Sequence, residues 1–226
     1  MSPQSSHPKK ALFLEIFGED SFDLLHDLLP KSEWLSIQRG EVVFRSFEPS
    51  NRLFFILSGV IRLHNPGRNS TQEVIVQFLR PGDMLGLTGV IKNSPHRFTA
   101  FVHSDWADLF SVDAQHLRSI IGSHPKLSMR IVKQLDRDAT AIETRAAAIS
   151  AQKVSVRIET MLKVLLKKFG LDEAGYINLE LSPIFISKMI GATRTTVYRS
   201  LKKMEESGIL DINNHKMRLL EPSYSE

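Results

Sequence analysis

Within eleven residues of its C-terminal third the chain places Thr193, Arg194, Thr195, Thr196, Tyr198, Arg199, Lys202 and Lys203. An arginine fork pairs with guanine through O6 and N7, and a threonine bonds a phosphate or touches a thymine methyl. Both are chemistries of DNA reading. Helical spacing puts Val197, Leu201 and Met204 on one face and turns Arg194, Thr195, Tyr198, Arg199 and Lys202 to the other. The alternative is an ordinary helical hairpin with a charged, solvated face, which asks for no particular residues at its ends.

The ends here are particular. Ser182 before Pro183 starts a helix, because the hydroxyl caps free N–H groups and proline lacks one in the first turn. That helix reaches Ile190, Gly191 supplies a tight turn, Thr193 caps the next helix, and 194–207 continue until Gly208 stops them. Ile186 and Ile190 face inward with the apolar stripe of the second helix. Two apolar-rich runs at 209–212 and 217–220, bent at Asn213-Asn214, add a strand hairpin as a wing. Ahead of them, 153–169 reads as an amphipathic helix stopped by Gly170, and 176–181 as a short strand. Residues 151–226 hold 12 Lys and Arg against 9 Asp and Glu, whereas 1–150 hold 17 against 16. The excess positive charge therefore lies where a nucleic-acid face is expected.

The first half follows another pattern. Residues 11–29 carry apolar side chains at helical spacing up to Pro30. Between about 33 and 112, short apolar runs at 42–44, 53–57, 60–63, 74–78, 98–102 and 109–112 alternate with Gly, Pro, Asn and Ser clusters, as in an all-β sandwich or barrel. From Pro125, one stripe runs through Leu127, Ile131, Leu135, Ala139, Ile142, Ala146 and Ile149. Its steps from Leu135 are those of a coiled-coil seam, which predicts a homodimer with Leu135, Ile142 and Ile149 at the contact; the alternative is packing on the chain's own barrel.

Composition excludes several functions. The chain has no cysteine, so disulfides, a thiol nucleophile, cysteine-ligated zinc and a cysteine-held iron–sulfur cluster are all ruled out. No apolar run approaches the roughly 20 residues that cross a bilayer, and no apolar segment follows the polar start, so the expectation is a cytoplasmic protein without a membrane partner. A metalloenzyme on a jelly-roll barrel would need clustered His and carboxylate ligands. His64, His96 and His103 are spread without that spacing, no metal site is expected, and the chain reads as a non-enzyme. A cyclic-nucleotide-gated interaction module would leave the winged helix unexplained.

The run S-P-I-F-I-S-K-M-I-G-A-T-R-T-T-V-Y-R-S-L-K-K-M-E-E-S-G-I-L at 182–210 resembles the helix-turn-helix of the cyclic-AMP receptor protein and FNR superfamily. G-E-V-V-F at 40–44, L-F-F-I-L-S-G-V-I-R-L at 53–63 and R-P-G-D-M-L-G at 80–86 resemble that superfamily's sensor barrel, and the resemblance spans about 30–222. It implies an α+β chain with an N-terminal β jelly-roll (cyclic-nucleotide-binding-like) barrel at 1–122, a dimerisation helix at 123–150 and a C-terminal winged helix-turn-helix at 151–226. The implied partners are double-stranded DNA, a second copy of the chain, RNA polymerase and a small-molecule effector; the implied activity is bacterial transcription regulation. Arg194 and Arg199 become base-reading or phosphate-contacting residues. Thr195 replaces the acidic residue of the cyclic-AMP receptor subgroup, and Phe185 replaces a usual polar residue and is expected to be buried.

The resemblance places an effector set at Gly86, Leu87, Arg97, Phe98 and Thr99. Cyclic-AMP binders of this superfamily use a Gly-Glu pair for the ribose and an Arg-Ser pair for the phosphate. Here Leu87 cannot accept the ribose hydroxyls, and Phe98 separates Arg97 from Thr99, so cyclic AMP is disfavoured. Haem on His64, His96 or His103 is a second option, although scattered histidines usually lie on the surface. A third is 2-oxoglutarate, as in the nitrogen-control branch, with Arg130, Lys133 or Arg137 as the extra cation. A regulator without any effector is the fourth, and the cofactor stays unassigned.

Overall fold

In the stretch Arg52–Ser58, every residue from Leu53 to Leu57 is buried, so this strand must be covered on both faces. The computed structural model, which describes residues 8–65, 73–149 and 153–220 (side chains of 8 and 144–149 excepted), shows how. Helix α1 (Pro8–Phe17) and helix α2 (Phe22–Leu28) precede strands β1 (Ser32–Gln38), β2 (Val42–Phe44), β3 (Arg52–Ser58), β4 (Ile61–Asn65), β5 (Val74–Leu79) and β6 (Met84–Leu85). Helix α3 (Leu87–Lys92), strands β7 (Thr99–Val102) and β8 (Trp106–Asp113), and helix α4 (Ala114–Ile120) follow.

The strands form two antiparallel sheets, ordered β1-β8-β3-β6 and β2-β7-β4-β5. Phe54 and Ile56 point between the sheets to Phe44, Ile61, Leu85, Val102 and Leu109. Leu53, Phe55 and Leu57 point the opposite way, into a layer of helices that contributes Phe13, Phe17, Leu25, Leu28 and Leu117. Four aromatic rings meet there: Phe13 lies 5.6 Å from Phe55 and 5.3 Å from Phe110, and Phe17 lies 5.3 Å from Phe55. Removing one such ring should cost about 3–5 kcal/mol. Between β3 and β4, Gly59 takes φ 77°, and a Cβ there would stand 2.2 Å from the Trp106 carbonyl oxygen, so only glycine fits this turn.

Strands β2, β3, β4, β5, β7 and β8 fall on the six expected runs, whereas β1 and β6 are additional, because β1 carries no continuous apolar run and β6 is only two residues long. Helix α5 (Pro125–Ile149) starts on this unit: Leu127 and Ile131 belong to the helix-layer core. The expected single stripe therefore divides. Leu127 and Ile131 are used by the chain's own barrel, while Met129, Val132, Leu135 and Ile142 are exposed, and the side chain of Ile149 lies outside the described residues.

The chain separates into two compact units at Asp136/Arg137, within α5. The second contains helices α6 (Val154–Phe169), α7 (Pro183–Ile190) and α8 (Arg194–Glu206) and strands β9 (Leu210–Asn213) and β10 (Lys216–Leu219). Ile158, Leu162, Leu165, Ile186, Val197, Leu201 and Met217 are buried, so the stripes of α6, α7 and α8 close one small core. The segment 176–181 is not the expected strand. It makes one isolated bridge, Leu171 with Ile177, and runs beside β10 through Ile177 N–H to Met217 O and Leu181 N–H to His215 O, too few bonds for a regular ladder. No helix among the described residues is long and apolar enough to cross a membrane.

Candidate nucleic-acid interface

Local chemistry fixes the two helices that carry the expected DNA-reading residues. The Ser182 side chain accepts from the Phe185 N–H, and Pro183 occupies the first turn of α7. At its other end Gly191 adopts φ 65° and ψ 43°, and the N–H groups of Gly191 and Ala192 both reach the Ser187 carbonyl. A left-handed residue at this point lets the chain reverse within one residue of the helix. The guanidinium of Arg157, on α6, donates from Nη1 to the Ile190 carbonyl at 3.1 Å, placing a cation at the negative end of α7. Sequence reasoning missed Arg157; it reads only as a polar position on an amphipathic helix.

Thr193 then caps α8. Its Oγ1 accepts from the Thr196 N–H at 3.2 Å and lies 2.8 Å from the Thr196 hydroxyl. Those two hydroxyls are engaged with each other, which leaves Thr195 as the threonine of the set without such a tie. Val197, Leu201 and Met204 are buried on the inner face. At about 100° per residue, Thr195 and Arg199 stand opposite that stripe, Lys202 and Lys203 lie to either side of them, Tyr198 lies at the edge of the outward face, and Arg194, in the first turn, lies nearer the buried side. All of these side chains are exposed, Tyr198 at 62%. Among the described residues neither Arg194 nor Arg199 has an acidic partner, while Lys202 sits a loose 3.8 Å from Glu206 at the surface. An exposed pair of that kind contributes little. Phe185, expected to be buried, is half-buried on α7.

The wing is less available than its composition suggests. Its turn falls on Asn214 and His215, both at positive φ (47° and 68°), one residue later than expected, and closes a two-residue hairpin that pairs Asn213 with Lys216. Lys216 donates to Asp172 at 2.6 Å; Arg218 donates to Asp211 at 2.5 Å and lies over the Tyr176 ring, whose hydroxyl also bonds Asp211. The Lys216 hydrogen bond holds the Asp172 carboxyl below its usual range, and the Tyr176 and Arg218 bonds do the same for Asp211. The two wing cations are thus occupied within the fold, whereas Arg194 and Arg199 of α8 have no acidic partner among the described residues.

In the barrel the two segments that carry the expected effector residues adjoin, since a Cβ at Gly86 would stand 3.2 Å from the ring of His96, the residue before Arg97. Gly86, at φ 88°, precedes α3, and Leu87 turns into the helix-layer core. Arg97 is exposed with its guanidinium 5.6 Å from the centre of the Phe98 ring, and the Thr99 hydroxyl accepts from the Ser46 N–H at 3.1 Å. The three histidines weighed for haem are not surface residues: each is at most 4% exposed. They are separate, however. His96 stacks on Phe44 at 3.6 Å, His103 lies edge-on to Phe78, and His64 sits between Glu73 and Arg62. Burial pushes the His96 imidazole below its usual pKa, so it is neutral at pH 7. Among the described residues no three His, Cys, Asp or Glu side chains form a group able to hold a metal. Of the cations considered for 2-oxoglutarate, Arg130 is committed to the Phe17 carbonyl and ring.

The cyclic nucleotide-binding domain family matches residues 34–124, and the Crp-like helix-turn-helix domain family matches 157–224. Together they span more than two thirds of the chain, in the order the fold displays. The chain belongs to the cyclic-AMP receptor protein/FNR superfamily. This CRP/FNR-type transcription regulator is 25% identical over 190 residues to the "Global nitrogen regulator" of Nostoc sp., covering 83% of this chain and 85% of that one. It is 28% identical over 174 residues to the "CRP-like cAMP-activated global transcriptional regulator" of Mycobacterium tuberculosis, covering 75% and 76%. In fold, the regulator is similar to the c-di-GMP responsive global regulator CLP of Xanthomonas campestris, with a TM-score of 0.75 at 19% identity over 88% of this chain and 99% of that one. It is likewise similar to a CooA mutant from Carboxydothermus hydrogenoformans, with a TM-score of 0.73 at 19% identity over 94% and 92%. Both of the curated relatives so named are regulators.

Proposed function

We propose that this regulator binds a near-palindromic operator as a homodimer, with one α8 per subunit in successive major grooves. The observation that supports this most directly is the face of α8: Thr195, Arg199 and Lys202 stand exposed opposite a fully buried stripe, with Tyr198 exposed at the edge, on a helix whose start is capped by Thr193. In this reading Arg194 and Arg199 pair with guanine or clamp phosphate, Thr195 touches a base or phosphate, and Lys202 and Lys203 reach the backbone. Thr193 and Thr196 contribute through the capped N-terminus, where N–H groups favour a phosphate.

The dimer contact is assigned to the exposed stripe of α5, with Met129 and Val132 added to Leu135 and Ile142. Four large apolar side chains in water on one helix face are most simply covered by the same face of a second copy. Residues 1–122 act as the sensor, 123–150 as the dimerisation helix and 151–226 as the DNA-binding domain. The regulator works in the cytoplasm, with RNA polymerase as its protein partner and a small molecule as the effector of the barrel. Cyclic AMP is not that effector, because Leu87 offers no acceptor and Arg97 is turned outward.

Selection of bound fragments from random DNA, followed by footprinting, tests the reading. The expected outcome is a two-fold symmetric site with half-sites about one helical turn apart. An asymmetric site, or binding with no sequence preference, would overturn it.

A further inference from the structure

Gln134 is 2% exposed, and its carboxamide is spent on one backbone position. Its Oε1 accepts from the Met84 N–H at 2.7 Å, and its Nε2 donates to the Met84 carbonyl at 2.6 Å. Met84 lies on β6, the edge strand of its sheet, paired to β3 on one side through Phe55. In an antiparallel ladder the N–H and C=O of one residue point to the same side. Those of Met84 point away from β3, where the next strand would be, and the Gln134 carboxamide supplies the donor and acceptor that such a strand would present. A hydrocarbon side chain can offer neither, and an ionised carboxylate only the acceptor.

The two ends of this clamp lie where regulation would have to pass. Met84 is two residues from Gly86, which turns the chain into α3, so β6 and the expected effector segment are continuous. Gln134 adjoins Leu135 in the exposed stripe, and it is the last buried side chain on α5 among the described residues. Earlier turns of α5 are held elsewhere, by Lys126 to Asp20 and by Arg130 to the Phe17 carbonyl. A displacement of β6 must therefore either carry the Leu135 turn with it or break two buried hydrogen bonds at once.

We propose that Gln134 is a positioning residue that clamps the Met84–Leu87 segment of the barrel to the dimer helix and sets the placement of the Leu135 seam. The inference rests on the homodimer reading above. It makes the strength of the dimer, and through it DNA affinity, depend on the state of the barrel edge.

The test uses the full chain with Gln134→Met, which keeps the volume and removes both bonds, and Gln134→Glu, which keeps the acceptor. Ile131→Val serves as a control that loosens the same helix-barrel core without touching the clamp. Hydrogen exchange at Met84, the dimer dissociation constant by sedimentation and the thermal midpoint are read for each. Gln134→Met should raise both exchange at Met84 and the dimer dissociation constant at least about tenfold, while Ile131→Val lowers the midpoint and leaves the dimer constant alone. Gln134→Glu should weaken the dimer at high pH and recover it as the pH falls, because a protonated carboxyl again offers a donor beside its acceptor. That recovery, which a packing role would not produce, also carries the test should the methionine variant not fold. A wild-type dimer with both Gln134 variants within twofold of it at every pH would overturn the clamp alone. A wild-type chain that remains monomeric would overturn the homodimer reading and the clamp with it.

Discussion

Arg199 and Lys203 are both exposed cations on α8, yet they should behave differently. Arg199 stands opposite the buried stripe and can meet a base edge; Lys203 lies one turn further along the helix and reaches only backbone. Arg199→Ala should cost about 1–3 kcal/mol on the preferred operator and relax base preference at one half-site position. Lys203→Ala should weaken preferred and scrambled DNA alike and lower the salt slope by about 1. Binding curves on both DNAs at several salt concentrations separate the two; unchanged specific binding in Arg199→Ala would remove α8 from the groove. His96 makes a second residue-scale prediction. Its folded pKa is depressed by burial, so the unfolded chain binds its proton more readily. The stability it contributes is fully present above the unfolded value of about 6.5 and is lost as the pH falls from there through the folded value. Urea midpoints measured across that range should fall less steeply in His96→Gln than in the wild type, and equal slopes would place the acid sensitivity elsewhere.

Among the elements, α5 has a divided role. Leu127 and Ile131 are enclosed by the helix-layer core, whereas Leu135 and Ile142 are 40% and 63% exposed. Replacing Leu135 and Ile142 together by Asp places like charges at the proposed seam and should give folded monomers without operator binding. Sedimentation that still reports a dimer would exclude this stripe as the contact. Ile131→Asp has a different expected outcome, loss of the folded barrel, because a lone buried carboxylate has no partner in that core. At the other end of the chain, Arg157 fixes the α7 terminus through the Ile190 carbonyl. Arg157→Ala should lower the melting temperature of the DNA-binding unit and weaken all DNA sequences, since it loosens the turn that aims α8.

For the whole molecule, the barrel has the fold of a cyclic nucleotide-binding domain with an apolar residue, Leu87, where a ribose acceptor would be needed. Leu87 is turned into the helical core, Arg97 lies over Phe98 at the surface, and the Thr99 hydroxyl is held by Ser46. Calorimetry with cyclic AMP should therefore show weak binding or none. Micromolar affinity would mean that another acceptor replaces the missing carboxylate.

The winged helix was legible from the residues because its signals are local. Ser182, Pro183, Gly191 and Thr193 act on backbone groups within four positions, and the inward stripe of α8 repeats with the helical period, so type and spacing suffice. The barrel was legible as a succession of short apolar runs, while β1 and β6 were not, because a strand whose pairing is decided by a partner far along the chain needs no continuous apolar run of its own. Three features belonged wholly to the tertiary structure: the burial of His64, His96 and His103, the pairing of the wing cations with Asp172 and Asp211, and the bonding of Gln134 to Met84 fifty positions away. Each depends on which groups lose water and which face one another after folding, and no local spacing encodes that.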